Sequence, residues 1–333
     1  MLATYEIDPP AWAETLAILQ SISLADGPAH VRARVVETDG TRVTIDFPAL
    51  DGETDAAQLL AGCVLGEWGD RGDVASCRLV SVEWPDGLPG PAFEAEPRVT
   101  VGAIIKPALG LTPAEAGRVA AELAAGGADL IKDDEMMTSP AYSPLLDRIR
   151  AVAAAIPPHV RYAANISGPV ETLLARAEAA VEAGAGALMV NAFLQGLGSI
   201  QALRAADFGV PIFVHRVGSA FLRRSERVSV SARVLAEVTR LLGGDYVQVG
   251  SFSERMFDTD GEVREQIAAS HEPLGGARRA TAVIGGGVGP GTIAADLARA
   301  GTREGVMVLL GSAAYVHPDG LRAGVAAAVA AAR

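Results

Sequence analysis

Eight short apolar runs, each followed by a loop and then by an Ala/Leu/Arg/Glu-rich helical pattern, occupy the chain from about residue 100 onward. They are VGAIIK (101–106), ADLIK (128–132), VRYAAN (160–165), GALMVN (186–191), VPIFVH (210–215), DYVQVG (245–250), ATAVIG (280–285) and GVMVLLG (305–311). Short β-rich apolar runs of this kind read as strands. The segments between them carry helix start and stop signals. In TPAEAGRVAAELAAGG, Thr112 stands at the N-cap, Pro113 at N1 and Glu115 at N3, and Gly126–Gly127 ends the pattern. VSARVLAEVTRLLGG and PDGLRAGVAAAVAAAR follow the same plan. Eight strand–helix units over about 230 residues predict a (β/α)8 TIM barrel, in preference to an open doubly wound sheet.

The first hundred residues read differently. LATYEID is a strand pattern, AWAETLAILQSI a helix, and AHVRARVVETDGTRVTIDFP a hairpin turning at Asp39–Gly40. ETDAAQLLAGCVLGEW reads as a second helix and VASCRLVSVEWP as a last strand. The order β-α-β-β-α-β predicts a small ferredoxin-like α+β domain. PDGLPGPAFEAEP, residues 85–97, is a Pro/Gly-rich linker. The expected division is therefore residues 1–97 for the small domain with its linker and 98–333 for the barrel.

Half of the 333 residues are hydrophobic and 20% are charged, which suits a well-buried core. The net charge of −12 lacks a basic footprint, so nucleic acid is not an expected partner. An anionic small molecule stays possible, because a local site can be positive in an acidic protein. Cys63 and Cys77 are the only cysteines and form no CxxC pattern, which argues against a disulfide framework or a zinc site. MLATYEIDPP lacks the basic and apolar regions of a secretory signal, and no uncharged apolar run reaches the length of a membrane span. A soluble cytoplasmic protein without a membrane partner is expected.

In a barrel of this type the active site forms where the strands end. Lys106 follows the first strand. The second ends in Lys132-Asp133-Asp134-Glu135. Strand side chains alternate, so Leu130, Lys132 and Asp134 share a direction and Asp133 takes the opposite one, toward the helix layer if the first is inward. If that shared direction is inward, two carboxylates enter the barrel mouth and suit a hard divalent cation, Mg2+ foremost. An ion-paired loop without metal is the structural alternative. Asn165 and Asn191 follow the third and fourth strands and either orient a substrate or tie loops together. His215-Arg216 follows the fifth: a proton carrier beside a bidentate phosphate grip. After the seventh comes GGGVGPG (285–291) with Gly286 and Gly287, and after the eighth Gly311-Ser312. Backbone amides freed by glycine in these loops can cradle phosphate. Metal-type ligands on one side, a phosphate cradle on the other, and Lys106 and His215 between them make a layout for proton abstraction beside a carbonyl.

LATYEIDP, IIKPALGLTP, GGADLIKDDE, VHR, LLGGDYVQVGS, GGGV and LGSAAYVHPDG, in this order and spacing, resemble the large subunit of RuBisCO, and more closely its non-carboxylating relatives, the RuBisCO-like proteins. The resemblance covers most of the chain and implies the same two-domain fold. It implies that Lys132 takes up carbon dioxide as a carbamate and joins Asp134 and Glu135 in holding Mg2+. It further implies catalytic roles for Lys106 and His215, and substrate or phosphate binding by Asn165, Arg216, Gly286, Gly287, Gly311 and Ser312. Because the family's small domain closes the barrel mouth of another subunit, a homodimer or higher homo-oligomer is expected.

Several positions depart from the carboxylases. The second lysine after the first strand is replaced by Ala108, and the flexible-loop lysine falls near Arg255. The histidine position of the sixth strand is Gln248, the serine position of the seventh is Gly285, and the small-domain asparagine position is Cys63. Carboxylation of ribulose bisphosphate is not expected. SPAYSPLLDRIRAV and MVNAFLQGLGSIQALR resemble the RuBisCO-like proteins of phosphorylated sugar acids, which implies a decarboxylase, carbon–carbon hydrolase or enolase/isomerase forming an enediolate. The alternatives are the methionine-salvage 2,3-diketo-5-methylthiopentyl-1-phosphate enolase, against which Cys63 also counts, and a non-catalytic binding or regulatory protein on the same scaffold.

Overall fold

The computed structural model describes residues 1–14, 33–48, 55 and 72–333. Its larger part is a closed barrel of eight parallel strands: β5 (Thr100–Ile104), β6 (Leu130–Lys132), β7 (Arg161–Asn165), β8 (Ala187–Val190), β9 (Ile212–Val214), β11 (Tyr246–Gly250), β12 (Thr281–Gly285) and β13 (Val306–Leu310). Each lies within, or one residue beyond, a run expected to be a strand. Closure is made by β9 pairing with β11, Tyr246 opposite Phe213 and Val247 opposite Val214.

Helices clothe this barrel for local reasons. Thr112 accepts from the Glu115 amide while the Glu115 carboxylate takes the Thr112 amide, a reciprocal cap with Pro113 at the first helical position of Pro113–Ala125. Ser231 accepts from the Val234 amide at the start of Ala232–Leu241, and Thr259 with Glu262 makes a second reciprocal cap at Asp260–His271. Alternation along the strands sorts side chains into two cores. Ile131, Ala164, Leu188, Val190 and Val214 face the helices, while Leu130, Ala163, Met189, Phe213, Tyr246, Val283, Met307 and Leu309 fill the barrel. Phe213 and Tyr246 stack there at 5.8 Å between ring centres.

In front of the barrel lies a five-stranded sheet in the order β10-β4-β1-β3-β2, with β1 Leu2–Asp8, β2 Arg34–Asp39, β3 Arg42–Asp46, β4 Ser76–Glu83 and β10 Val228–Val230. The order β4-β1-β3-β2, antiparallel throughout, is that of the expected ferredoxin-like sheet. Gly40 (φ +58°) takes the left-handed turn of the β2–β3 hairpin. The two small-domain helices expected from the sequence fall almost wholly outside the described residues, as does Cys63. The sequence gives no hint of β10, a strand from the loop after β9 that pairs parallel with β4. Among the described residues no helix is long and apolar enough to cross a membrane.

Candidate active site

Above the apolar filling, the inward-facing positions turn polar. Two residues beyond Leu130 is Lys132, beyond Ala163 is Asn165, beyond Phe213 is His215 and beyond Tyr246 is Gln248. Here the strands end, and a cavity of about 440 Å3 opens at the barrel mouth. Lys106, Glu135, His215, Arg216, Gly286, Gly287, Gly311 and Ser312 all line it. Lys132, Asp134 and Asn165 lie behind this lining, with Lys132 and Asn165 fully buried and Asp134 2% exposed.

The Lys132-Asp133-Asp134-Glu135 segment alternates as expected. Asp133 turns to the helix layer, where Arg148 grips both of its oxygens at 3.1 Å. Its carboxylate also accepts from the Tyr162 hydroxyl at 2.6 Å and the Asn165 amide at 3.0 Å. Asp134 faces the mouth and accepts from Lys106 Nζ at 2.5 Å. Glu135 Oε2 lies 3.9 Å from Lys132 Nζ and 3.4 Å from His215 Nε2. The loop is tied down by amides: Asn165 Nδ2 donates to the Asp134 and Glu135 carbonyls, and Asn191 Nδ2 donates to the Glu135 carbonyl at 2.9 Å. The side-chain nitrogens of both asparagines are therefore engaged by the loop.

Lys132 is the anomaly. Its ammonium has no hydrogen-bond partner, and the ring centre of Phe213 lies 5.9 Å from Nζ. Burial lowers its pKa from 10.5 to about 8, reinforced by Lys106 and opposed by Glu135, Asp134 and Asp133. His215 is held well below its ordinary pKa by burial and by the charges of Lys132, Arg216 and Lys106. Its Nδ1 accepts from the Val217 amide at 3.2 Å, so the neutral ring carries its proton on Nε2, toward Glu135.

Across the cavity, Gly286 (φ +116°) and Gly287 (φ +74°) occupy left-handed conformations. A Cβ on Gly286 would meet Met256 Sδ at 2.7 Å, and one on Gly287 would meet Ser253 Oγ at 2.5 Å. The loop after β11 thus packs down on the glycines, and only glycine permits it. Arg255, in that loop, is exposed and does not line the cavity. Arg223 and Asp258 were not signalled by the sequence. Arg223 lines the cavity, and Asp258 binds it and Arg216 together. Burial disfavours the Asp258 charge, yet the two arginines hold its pKa below the usual carboxylate range.

A (β/α)8 barrel with a convergent cationic and acidic mouth defines an enzyme-like scaffold whose site is built from strand ends. Residues 91–333 match the family described as ribulose bisphosphate carboxylase large chain, catalytic domain, and the chain belongs to that family as a RuBisCO-like protein. It is 31% identical to the 3-oxo-isoapionate-4-phosphate decarboxylase of Rhizobium rhizogenes, over 86% of this chain and 73% of that protein. It is 30% identical to an uncharacterized ribulose bisphosphate carboxylase-like protein of Bordetella bronchiseptica, over 96% of this chain and 78% of that one. The crystal structure of a rubisco-like protein from Burkholderia fungorum superposes with a TM-score of 0.87 at 26% identity, covering 99% of this chain and 93% of that one.

Proposed function

We propose that this chain is a Mg2+-dependent enzyme that forms an enediolate from a phosphorylated keto sugar or sugar acid, by loss of carbon dioxide or of a proton, and that it does not carboxylate ribulose bisphosphate. The observation that carries this reading is Lys132. A fully buried amine without a hydrogen-bond partner, with its pKa brought down to about 8, has a large neutral fraction in mildly alkaline solution. Neutral amine is the form that takes up carbon dioxide. The resulting carbamate is an anion, and with Asp134 and Glu135 it makes three oxygen donors for a hard cation. Among the described residues no group of three or more His, Cys, Asp or Glu side chains could hold a metal, which is why the lysine matters to this reading. A Mg2+ held by these three groups would supply Lewis-acid stabilisation of negative charge on substrate oxygens.

The chain's own residues divide the remaining work. Lys106 Nζ, at the cavity wall and paired with Asp134, carries the proton to or from the reacting carbon. His215, neutral and protonated on Nε2, donates a hydrogen bond to a substrate oxygen and is a poor base. Arg216 and the backbone of Gly286, Gly287, Gly311 and Ser312 hold the phosphate. The similarity to a protein named for decarboxylating 3-oxo-isoapionate-4-phosphate supports a phosphorylated oxo acid as substrate class. A homodimer or higher homo-oligomer is part of the proposal, and a monomer at micromolar concentration by light scattering would contradict it.

The test is a panel of phosphorylated keto sugars and sugar acids, scored for carbon dioxide release and solvent deuterium incorporation, with Asp134→Asn in parallel. Turnover by wild type that collapses in Asp134→Asn is expected. An Asp134→Asn protein as active as wild type would sink the metal assignment. Calorimetry adds a second reading, since Mg2+ should bind more tightly with bicarbonate present.

A further inference from the structure

On the wall of the mouth cavity one carboxylate serves two guanidiniums. Arg216, just past the end of β9, donates from Nη2 to Asp258 Oδ2 at 2.7 Å. Arg223, the last residue of the helix Ser219–Arg223, donates from Nη1 to Asp258 Oδ1. The arginine side chains are 13% and 4% exposed and that of Asp258 is fully buried. A single carboxylate offsets only one of the two cationic charges. Glu262 also acts electrostatically on Arg216, but no hydrogen bond joins them. Arg216 Nη1 and Arg223 Nη2 are buried without hydrogen-bond partners, and so is Oε1 of the neighbouring Gln248.

Arginine cannot relieve such a situation by losing its proton. A buried charged donor left unpaired costs the full desolvation of that group. Both arginines line the mouth cavity, and the one carboxylate they share leaves an excess positive charge at its wall that an anion completes.

We propose that Arg223 is a second anion-binding residue of this site, and that Arg216 and Arg223, fixed through Asp258, form a two-arginine clamp for a phosphate dianion. This deepens the proposed function and rests on its placing a phosphorylated substrate in the mouth cavity. Phosphate is favoured over a substrate carboxylate by the chemistry of the reaction. A carboxylate departing as carbon dioxide surrenders its charge in the transition state. Two guanidiniums gripping it would bind the ground state more strongly than the transition state and slow the step. The clamp therefore suits the anion that does not react. Phosphate also offers three oxygens to two planar forks. Asp258 is a positioning residue: it sets the planes of both guanidiniums without itself touching the ligand.

Inorganic phosphate is the probe, titrated calorimetrically into the full chain, with acetate in parallel. The proteins are wild type, Arg223→Met and Arg223→Lys. Wild type should bind phosphate in preference to acetate. Arg223→Met should weaken phosphate about 10- to 100-fold, the effect of losing a charge-assisted hydrogen bond, with little change for acetate. Arg223→Lys should fall between, since charge returns without the fork. Phosphate bound by Arg223→Met with wild-type affinity, whether at the glycine loops alone or elsewhere, overturns the clamp; so does a wild type with no preference for phosphate. If Arg223→Met does not fold, Arg223→Lys decides, with unchanged affinity counting against the proposal. The measurement needs neither bicarbonate nor turnover. A failed clamp thus leaves the Lys132 chemistry standing, and catalysis indifferent to Asp134→Asn leaves the clamp standing.

Discussion

Replacing Lys132 with methionine should make the protein more stable at neutral pH, by an amount that shrinks as pH rises. The folded protein lowers the Lys132 pKa from 10.5 to about 8, and at about 1.4 kcal/mol for each pKa unit the charged form is disfavoured by roughly 3 kcal/mol. The residue is fully buried, so solvent screening does not reduce this figure. Below pH 8 both folded and unfolded chains bind the proton, and the penalty is present in full. Between about 8 and 10.5 the unfolded chain binds more protons than the folded one, so wild-type stability rises with pH. Methionine fills similar volume, carries no charge and removes the dependence. Urea unfolding of both proteins, in carbon dioxide-free buffer with chelator, should give Lys132→Met an advantage of roughly 3 kcal/mol at pH 7 that narrows to about 1 kcal/mol at pH 10. Taking the difference between the two proteins cancels the titration of every other group that is unaltered. An advantage that stays constant from pH 7 to pH 10, or a wild type more stable at pH 7, would refute the account of Lys132 as a strained buried cation.

Asp133→Ala strands the Arg148 guanidinium, itself 1% exposed, and should cost about 3–5 kcal/mol in urea unfolding. His215 should stay neutral at pH 7, with imidazole NMR shifts that titrate only below the range of a free imidazole. Because its folded pKa is depressed, the unfolded chain takes up the proton first, and stability should fall as pH drops through about 6.5. Lys106→Met should leave the fold intact, as the side chain is 29% exposed. It should cut turnover about 100- to 10,000-fold in deuterium incorporation on whichever panel substrate reacts.

The barrel was legible because its strands are buried on both faces and its helices carry their own caps. Period-two alternation also put Lys132 and Asp134 on one side of the strand and Asp133 on the other, since a strand's geometry is set before its neighbours are known; which side is inward was settled by the closed barrel. Other parts lay beyond local pattern. VSV at 228–230 becomes a strand only because β4, some 150 residues earlier, offers an edge. LRRSER, residues 222–227, carries no local sign of burial, yet Arg223 is drawn inside by Asp258, 35 residues away. Asn165 was expected on substrate by resemblance; it does not line the cavity, and its amide nitrogen ties down the carbonyls of the acidic loop.

The strand β10 also bears on how far this protein is modular. The sheet in front of the barrel borrows its fifth strand from the loop that has just delivered Arg216 and Arg223, with Ser231 Oγ adding a hydrogen bond to the Val80 carbonyl at 2.8 Å. A gene fragment encoding the barrel alone would express β10 with no mate, and the separated sheet would expose β4 as an open edge, inviting aggregation in both pieces. The two parts are sewn together rather than strung in series. Recombination that swaps the leading sheet must bring an edge able to accept Val228–Val230, or it shifts the arginines that this same loop presents to the cavity.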